Sequence, residues 1–171
     1  MLLNKEQVES IKNNKVTHVK NFVSLEREYD FNLISQFLEE RDDGVLTKTD
    51  MGNLRDVYQM KRVTDYLPEF RIFFDFLLKT FKYKPDARDA IELFFSFATQ
   101  SGKPHKDIEN VFIIGLKGKV IYRIFEGENA DYEINKGDMI FIPRNIYHKV
   151  VGITPRIIAS VGFFELLNPH G

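Results

Sequence analysis

Between Gly102 and His148 the chain alternates short apolar runs with turn signals, and that punctuation leaves room for little except a small antiparallel β-structure. Runs at 111–116 and 119–126 flank Gly118, and Gly137-Asp138 feeds the apolar run Met139–Ile142, which stops at Pro143. Apolar runs of about four to eight residues bounded by Gly, Pro, Asn and Asp mark strands joined by tight turns. Further strands are expected at 131–134, 148–152 and 156–164. Upstream, Ile91, Leu93, Phe95, Phe97 and Thr99 alternate with Glu92, Phe94, Ser96, Ala98 and Gln100, and both sets carry apolar residues. That segment predicts a strand covered on both faces. Eight or so short strands after a helical N-terminal part predict a mainly β fold with flanking α-helices, a jelly roll with the helices packed outside one sheet.

The first half reads differently. Asn4 with Gln7 three residues later is a capping-box variant, and Val8 and Ile11 give the helix that follows one apolar stripe. A strand is expected at Val16–Val23, with His18 in a structural or exposed position. Ser24 is placed to cap a second helix carrying Leu33, Ile34, Phe37 and Leu38 on one face and ending at Asp42-Asp43-Gly44. Val45–Val63 reads as two strands around a loop, placed over the mouth of a site. Pro68 opens a third helix in which Phe70, Phe73, Phe74, Leu77, Leu78 and Phe81 recur at helical spacing. Such a regular stripe predicts packing against a sheet, not an aromatic ligand box.

The 171 residues suit a single domain that buries about two-thirds of its unfolded surface. Within it, residues 1–85 are read as a helical part with one or two strands and 86–165 as the β core. Lys and Arg total 24 against 25 Asp and Glu, scattered along the chain, so no nucleic-acid footprint is visible. Cysteine is absent, which removes disulfides, thiolate metal sites and thiol nucleophiles. The N-terminus turns polar too early for a signal peptide, and no apolar run approaches the ~18 residues of a membrane span. A cytoplasmic protein is expected, with self-association into a homo-oligomer through a sheet edge left open.

The chemistry-bearing residues sit at the two ends of the organising stretch. On a strand, alternate side chains share a face, so the step from His105 to Asp107 aims an imidazole and a carboxylate at one point while Lys106 faces away. His148 follows the turn signals at 143–145, where a returning strand brings a second imidazole to that point. Two His and one carboxylate leave the opposite face of a metal open, the ligand set that suits non-haem Fe(II). His105, Asp107 and His148 are therefore the candidate metal ligands and catalytic centre.

The spacing resembles the two cupin motifs, G-x5-H-x-H-x3,4-E-x6-G and G-x5-P-x-G-x2-H-x3-N. Asp107 stands where the second His would be, Asn145 at the second motif's Gly and Gly152 at its final Asn. The motif Glu is missing, since Val111 and Phe112 occupy its possible positions. Pro104 through Phe125 is similar to JmjC-type hydroxylases of the ribosomal-oxygenase kind, roughly P-H-x-D-x4-F-x5-G-x4-R-x-[YF], with Asp107, Phe112, Gly118, Arg123 and Phe125 in register. Asn4–Ser24 resembles the start of phytanoyl-CoA dioxygenase relatives. These resemblances imply a cupin-like double-stranded β-helix and an Fe(II)- and 2-oxoglutarate-dependent dioxygenase of hydroxylase type, its substrate unidentified. The JmjC pattern implies a Lys at position 120 for the distal carboxylate of 2-oxoglutarate, and Val120 stands there. The phytanoyl-type pattern R-x3-S is matched by Arg156 and Ser160, so the resemblance assigns them to cosubstrate binding, and Tyr122 is expected as a hydroxyl donor from the inward face of the strand at 119–126. Two alternatives share the fold: a metal cupin enzyme that does not use 2-oxoglutarate, and a non-catalytic binding module.

Overall fold

Strands that are apolar on both faces need a layer on each side, and the fold supplies a second sheet on one and helices on the other. A computed structural model describes residues 3–40, 46–48, 57–65, 67–83, 91–97 and 102–164. In chain order the elements are α1 (Lys5–Lys12), β1 (Thr17–Val19), α2 (Phe31–Glu40), β2 (Leu46–Lys48), β3 (Val57–Met60), α3 (Pro68–Phe81), β4 (Glu92–Ser96), β5 (Asn110–Lys117), β6 (Val120–Ile124), β7 (Ala130–Ile134), β8 (Met139–Ile142), β9 (His148–Gly152) and β10 (Arg156–Phe163). Seven strands form one antiparallel sheet in the order β1-β8-β5-β10-β4-β3-β2, and three form a second in the order β7-β6-β9.

Alternation along the strands sorts the core into two layers. Phe112, Ile114 and Leu116 of β5 and Ile157, Ala159, Val161 and Phe163 of β10 face the helices, where they meet Phe70, Phe73, Phe74, Leu77 and Phe81 of α3. Ring contacts knit this layer: Phe81 lies 5.5 Å from Phe112, and Tyr83 stacks on Phe163 at 4.4 Å with planes 6° apart. The phenylalanine stripe of α3 is thus core, as its spacing predicts. Val111, Ile113, Val120, Tyr122, Ile124 and Ile158 point the other way and fill the space between the sheets.

Local signals explain most element ends. The α1 capping box forms, with Asn4 accepting from the Gln7 backbone and Gln7 from the Asn4 backbone. Gly118 adopts φ +70° between β5 and β6, and a Cβ there would strike the Pro155 carbonyl, so glycine is required at this turn. Gly115 permits a second close approach, since a Cβ would collide with the Asn135 carbonyl.

Several expectations need correction. The second helix starts at Phe31, and its cap is Asp30, whose carboxylate accepts the Leu33 N–H at 2.9 Å; Ser24 lies well before it. Its predicted end at 42–44 and the side chains of Phe37 and Leu38 lie outside the described residues. The first strand is short because Asn21 takes a left-handed φ of 50° while its N–H donates to the Asp138 carboxylate. Among the described residues, positions 1–85 carry three strands where one or two are expected. All three belong to the large sheet: β1 pairs with β8, and β2 and β3 extend it beyond β4. β3 is thus a wall of the β core.

Phe112 is fully buried and touches Phe81, Tyr83, Phe141 and Phe163. Phe112→Ala is expected to cost about 3–5 kcal/mol of unfolding free energy, the range for emptying a well-packed aromatic site. Urea denaturation measures it; a loss below about 1 kcal/mol would contradict this packing.

Candidate metal centre

The two segments that carry the candidate ligands are joined by backbone. His105 N–H donates to the His148 carbonyl and His148 N–H to the His105 carbonyl, both at 2.9 Å, in a reciprocal antiparallel pair. Residues directly opposite in such a pair project to the same face, so both imidazoles enter the space between the sheets, with ring centroids 4.4 Å apart. Asp107 is fixed by a separate bond, its carbonyl accepting the Asn145 N–H at 2.8 Å. Beyond this bridge at His105 the segment through Asp107 is not a strand, so the carboxylate reaches the site from irregular backbone, not by strand alternation. Lys106 does face away, its ammonium 5.9 Å from the centre of the Tyr147 ring.

Side-chain geometry converges. One Asp107 oxygen lies 3.7 Å from His105 Nε2 and the other 3.5 Å from His148 Nε2. One ligand atom from each residue falls within 4.8 Å of the other two. Donors about 2.1 Å from a shared ion and at right angles to each other lie about 3 Å apart, so small side-chain rotations close this set on a cation. Each imidazole is also oriented: Nδ1 of His105 meets the Lys103 carbonyl and Nδ1 of His148 the Ile146 carbonyl, both at 3.1 Å. A carbonyl only accepts, so Nδ1 carries the proton and Nε2 keeps its lone pair for a metal. The residues therefore fit a divalent cation held by two nitrogens and one carboxylate.

The triad opens onto a cavity of about 310 Å³, near the lower end of the ~300–1,000 Å³ common for small-molecule sites. All six residues singled out from the sequence line it: His105, Asp107, His148, Tyr122, Arg156 and Ser160. Apolar walls come from Phe94, Val111, Ile113 and Ile158. Glu92 and Glu109 also line it, two carboxylates that sequence reasoning did not single out. A Cβ at Gly162 would overlap the Glu109 carboxylate, so that glycine lets Glu109 lie across β10.

Arg156 is not an edge-strand surface charge. It sits on β10, hydrogen-bonded between β4 and β5, and is 4 % exposed. Arg156 and Ser160 share a cavity face of β10 four residues apart, about 13 Å along the strand. Burial pulls the Arg156 pKa down while Tyr122 opposes the shift, and a guanidinium stays charged at neutral pH. Burial pushes the Tyr122 phenol up, Arg156 acting against this and Asp107 with it, so Tyr122 is a neutral hydroxyl in electrostatic reach of both. Val120 is 1 % exposed within the inter-sheet core, and Lys119 points outward to Glu133 at 2.9 Å. His18 stands apart from the triad, edge-on to Tyr132.

No known family profile matches the chain, and no curated protein matches its sequence. Solved structures do match in fold. The ribosomal oxygenase YcfD of Escherichia coli superposes with a TM-score of 0.68 at 18% identity, over 99% of this chain and 53% of that one. The same enzyme in complex with cobalt and 2-oxoglutarate gives 0.62 at 18% identity, over 91% and 49%. With cobalt and succinic acid it gives 0.62 at 20% identity over the same shares. The chain spans about half the length of these proteins, and the likeness establishes the shared fold, the cupin-like double-stranded β-helix that the motifs imply. Among the described residues no helix is long and apolar enough to cross a membrane.

Burial lowers the His148 pKa, with Asp107 opposing it and His105 adding to it. The folded protein then binds fewer protons at this group than the unfolded chain. Its contribution to stability is complete above the unfolded value of about 6.5 and is lost as pH falls through the depressed folded value. His18, also lowered by burial, acts in the same sense. Metal-free protein is expected to lose urea resistance below about pH 6.5, and His148→Gln to make that loss shallower. An unchanged slope in the variant would contradict a buried neutral His148.

Proposed function

We propose that this chain is an Fe(II)- and 2-oxoglutarate-dependent oxygenase of hydroxylase type. One observation carries the reading: a two-histidine, one-carboxylate set opens onto the same small cavity as a buried, charged arginine. YcfD, which shares the fold, has been crystallised with cobalt and 2-oxoglutarate, and that complex supports the same occupants here.

His105, Asp107 and His148 hold the metal through Nε2, a carboxylate oxygen and Nε2, leaving the cavity side open to small ligands. Bound iron(II) with 2-oxoglutarate supplies activation of O2 and oxidation of a substrate C–H bond. The protein contributes position and exclusion of water. A buried carboxylate needs a cation or several donors, and Arg156 offers a guanidinium fork from β10, with the neutral Tyr122 hydroxyl lining the same cavity from β6 of the facing sheet and Ser160 further along β10. Val120, with no charge to offer, leaves that task to β10. The apolar walls lower the local dielectric, which strengthens each of these electrostatic contacts.

Anaerobic titration with Fe(II) and then 2-oxoglutarate is expected to produce a metal-to-ligand charge-transfer band. His105→Ala and Asp107→Ala abolish it. Arg156→Ala keeps metal binding but weakens 2-oxoglutarate at least about thirtyfold, the counterpart of the ~2 kcal/mol lower bound for stripping a buried charge of its partner. An absent band in the parent protein overturns the reading; unchanged affinity in Arg156→Ala overturns the anchor. Turnover without any 2-oxo acid would instead favour a metal cupin enzyme of another kind.

A further inference from the structure

We infer that Asn110, a residue that does not line the cavity, positions two of the three metal ligands through the loop at 143–147; this rests on the metal-centre reading above. Asn110 opens β5 and is 4 % exposed. Its side-chain oxygen accepts the backbone N–H of Arg144 at 3.0 Å, a bond 34 residues long in sequence. The loop it grips touches both ligands on its far side. Asn145 N–H donates to the Asp107 carbonyl at 2.8 Å, and the Ile146 carbonyl takes the Nδ1 proton of His148 at 3.1 Å.

The loop cannot settle by itself into this shape at no cost. Asn145 holds a left-handed φ of 66°, and the one bond that closes the turn internally, Ile146 N–H to the Pro143 carbonyl, is long at 3.3 Å. Pro143 has no N–H to donate, so the Arg144 N–H is the first donor the loop can offer to β5. Asn110 takes it. Without that acceptor the Arg144 N–H loses its partner and the loop its backbone anchor at the start of β5, leaving the continuation from β8 and the long Arg144 Nη1 contact to the Phe164 carbonyl at 3.5 Å, and the Asn145 and Ile146 contacts shift together. Asp107 and His148 then lose their common aim while His105, oriented from Lys103, keeps its own. Asn110 is thus a positioning residue acting on a pair of ligands, with no contact to metal or substrate.

Cobalt(II) is the probe, read by its visible d–d spectrum and by calorimetry on the full chain. Asn110→Ala is expected to weaken Co(II) roughly 10–100-fold, the usual loss on removing support behind metal ligands, and to alter the band shape. Asn110→Asp keeps an oxygen in place and restores the parent spectrum; its affinity carries an added charge, so the spectrum decides. Parent affinity and spectrum in folded Asn110→Ala overturn the inference. If Asn110→Ala does not fold, Asn110→Asp settles the matter, an altered spectrum there overturning it. Should the parent protein bind no cobalt, or His105→Ala bind it as well as the parent, the metal reading fails instead.

Discussion

The reciprocal hydrogen bonds between His105 and His148 are the constraint on which the site depends. They join residues 43 positions apart in the chain, and they do so with backbone atoms, so the convergence of the two imidazoles does not wait for a metal. Fixing that pair costs loop-closure entropy, which grows only slowly with loop length, and the intervening β5 to β8 offset it with two apolar layers. The ligand set is therefore a product of sheet register. Moving β9 by one residue against its neighbours would turn His148 to the outer face and Lys149 into the cavity.

The same logic places Arg156, the residue proposed to anchor the cosubstrate. Arg156 would be a costly residue to bury on a strand flanked on both sides, yet it is held there by β4 and β5. Its neighbours Ile157 and Ala159 anchor the opposite face against the helical layer, which leaves the guanidinium side no alternative to the cavity. The phenylalanine-rich face of α3 thus matters to the site without touching it: it fixes which way β10 faces, and so which way Arg156 points.

Much of this was legible in the residues. The strands from β5 to β10 lie within a few residues of the expected bounds because Gly118, Gly137 and Pro143 punctuate them, and turn chemistry is local. The convergence of His105, Asp107 and His148 was legible because side-chain type and spacing carry it, although the carboxylate arrives from irregular backbone and not along a strand. What stayed hidden depends on backbone. Any residue can supply the carbonyls of Lys103 and Ile146 that orient the two imidazoles, so no side chain announces them. The Asp30 cap is a bond to Leu33 only three residues on, whereas the recruitment of β1 to β8 is set by long-range pairing that a local pattern does not encode. Glu109 lacked a signal for a similar reason: its place over Gly162 appears only once β10 is laid beside β5.

The central claim is that three side chains bind one ion, and crystallographic anomalous scattering at the cobalt edge tests it most directly. Crystals grown with cobalt(II) should give a single strong peak about 2.1 Å from Nε2 of His105, Nε2 of His148 and one carboxylate oxygen of Asp107. A peak elsewhere, or none at saturating cobalt with these three side chains turned apart, would contradict it.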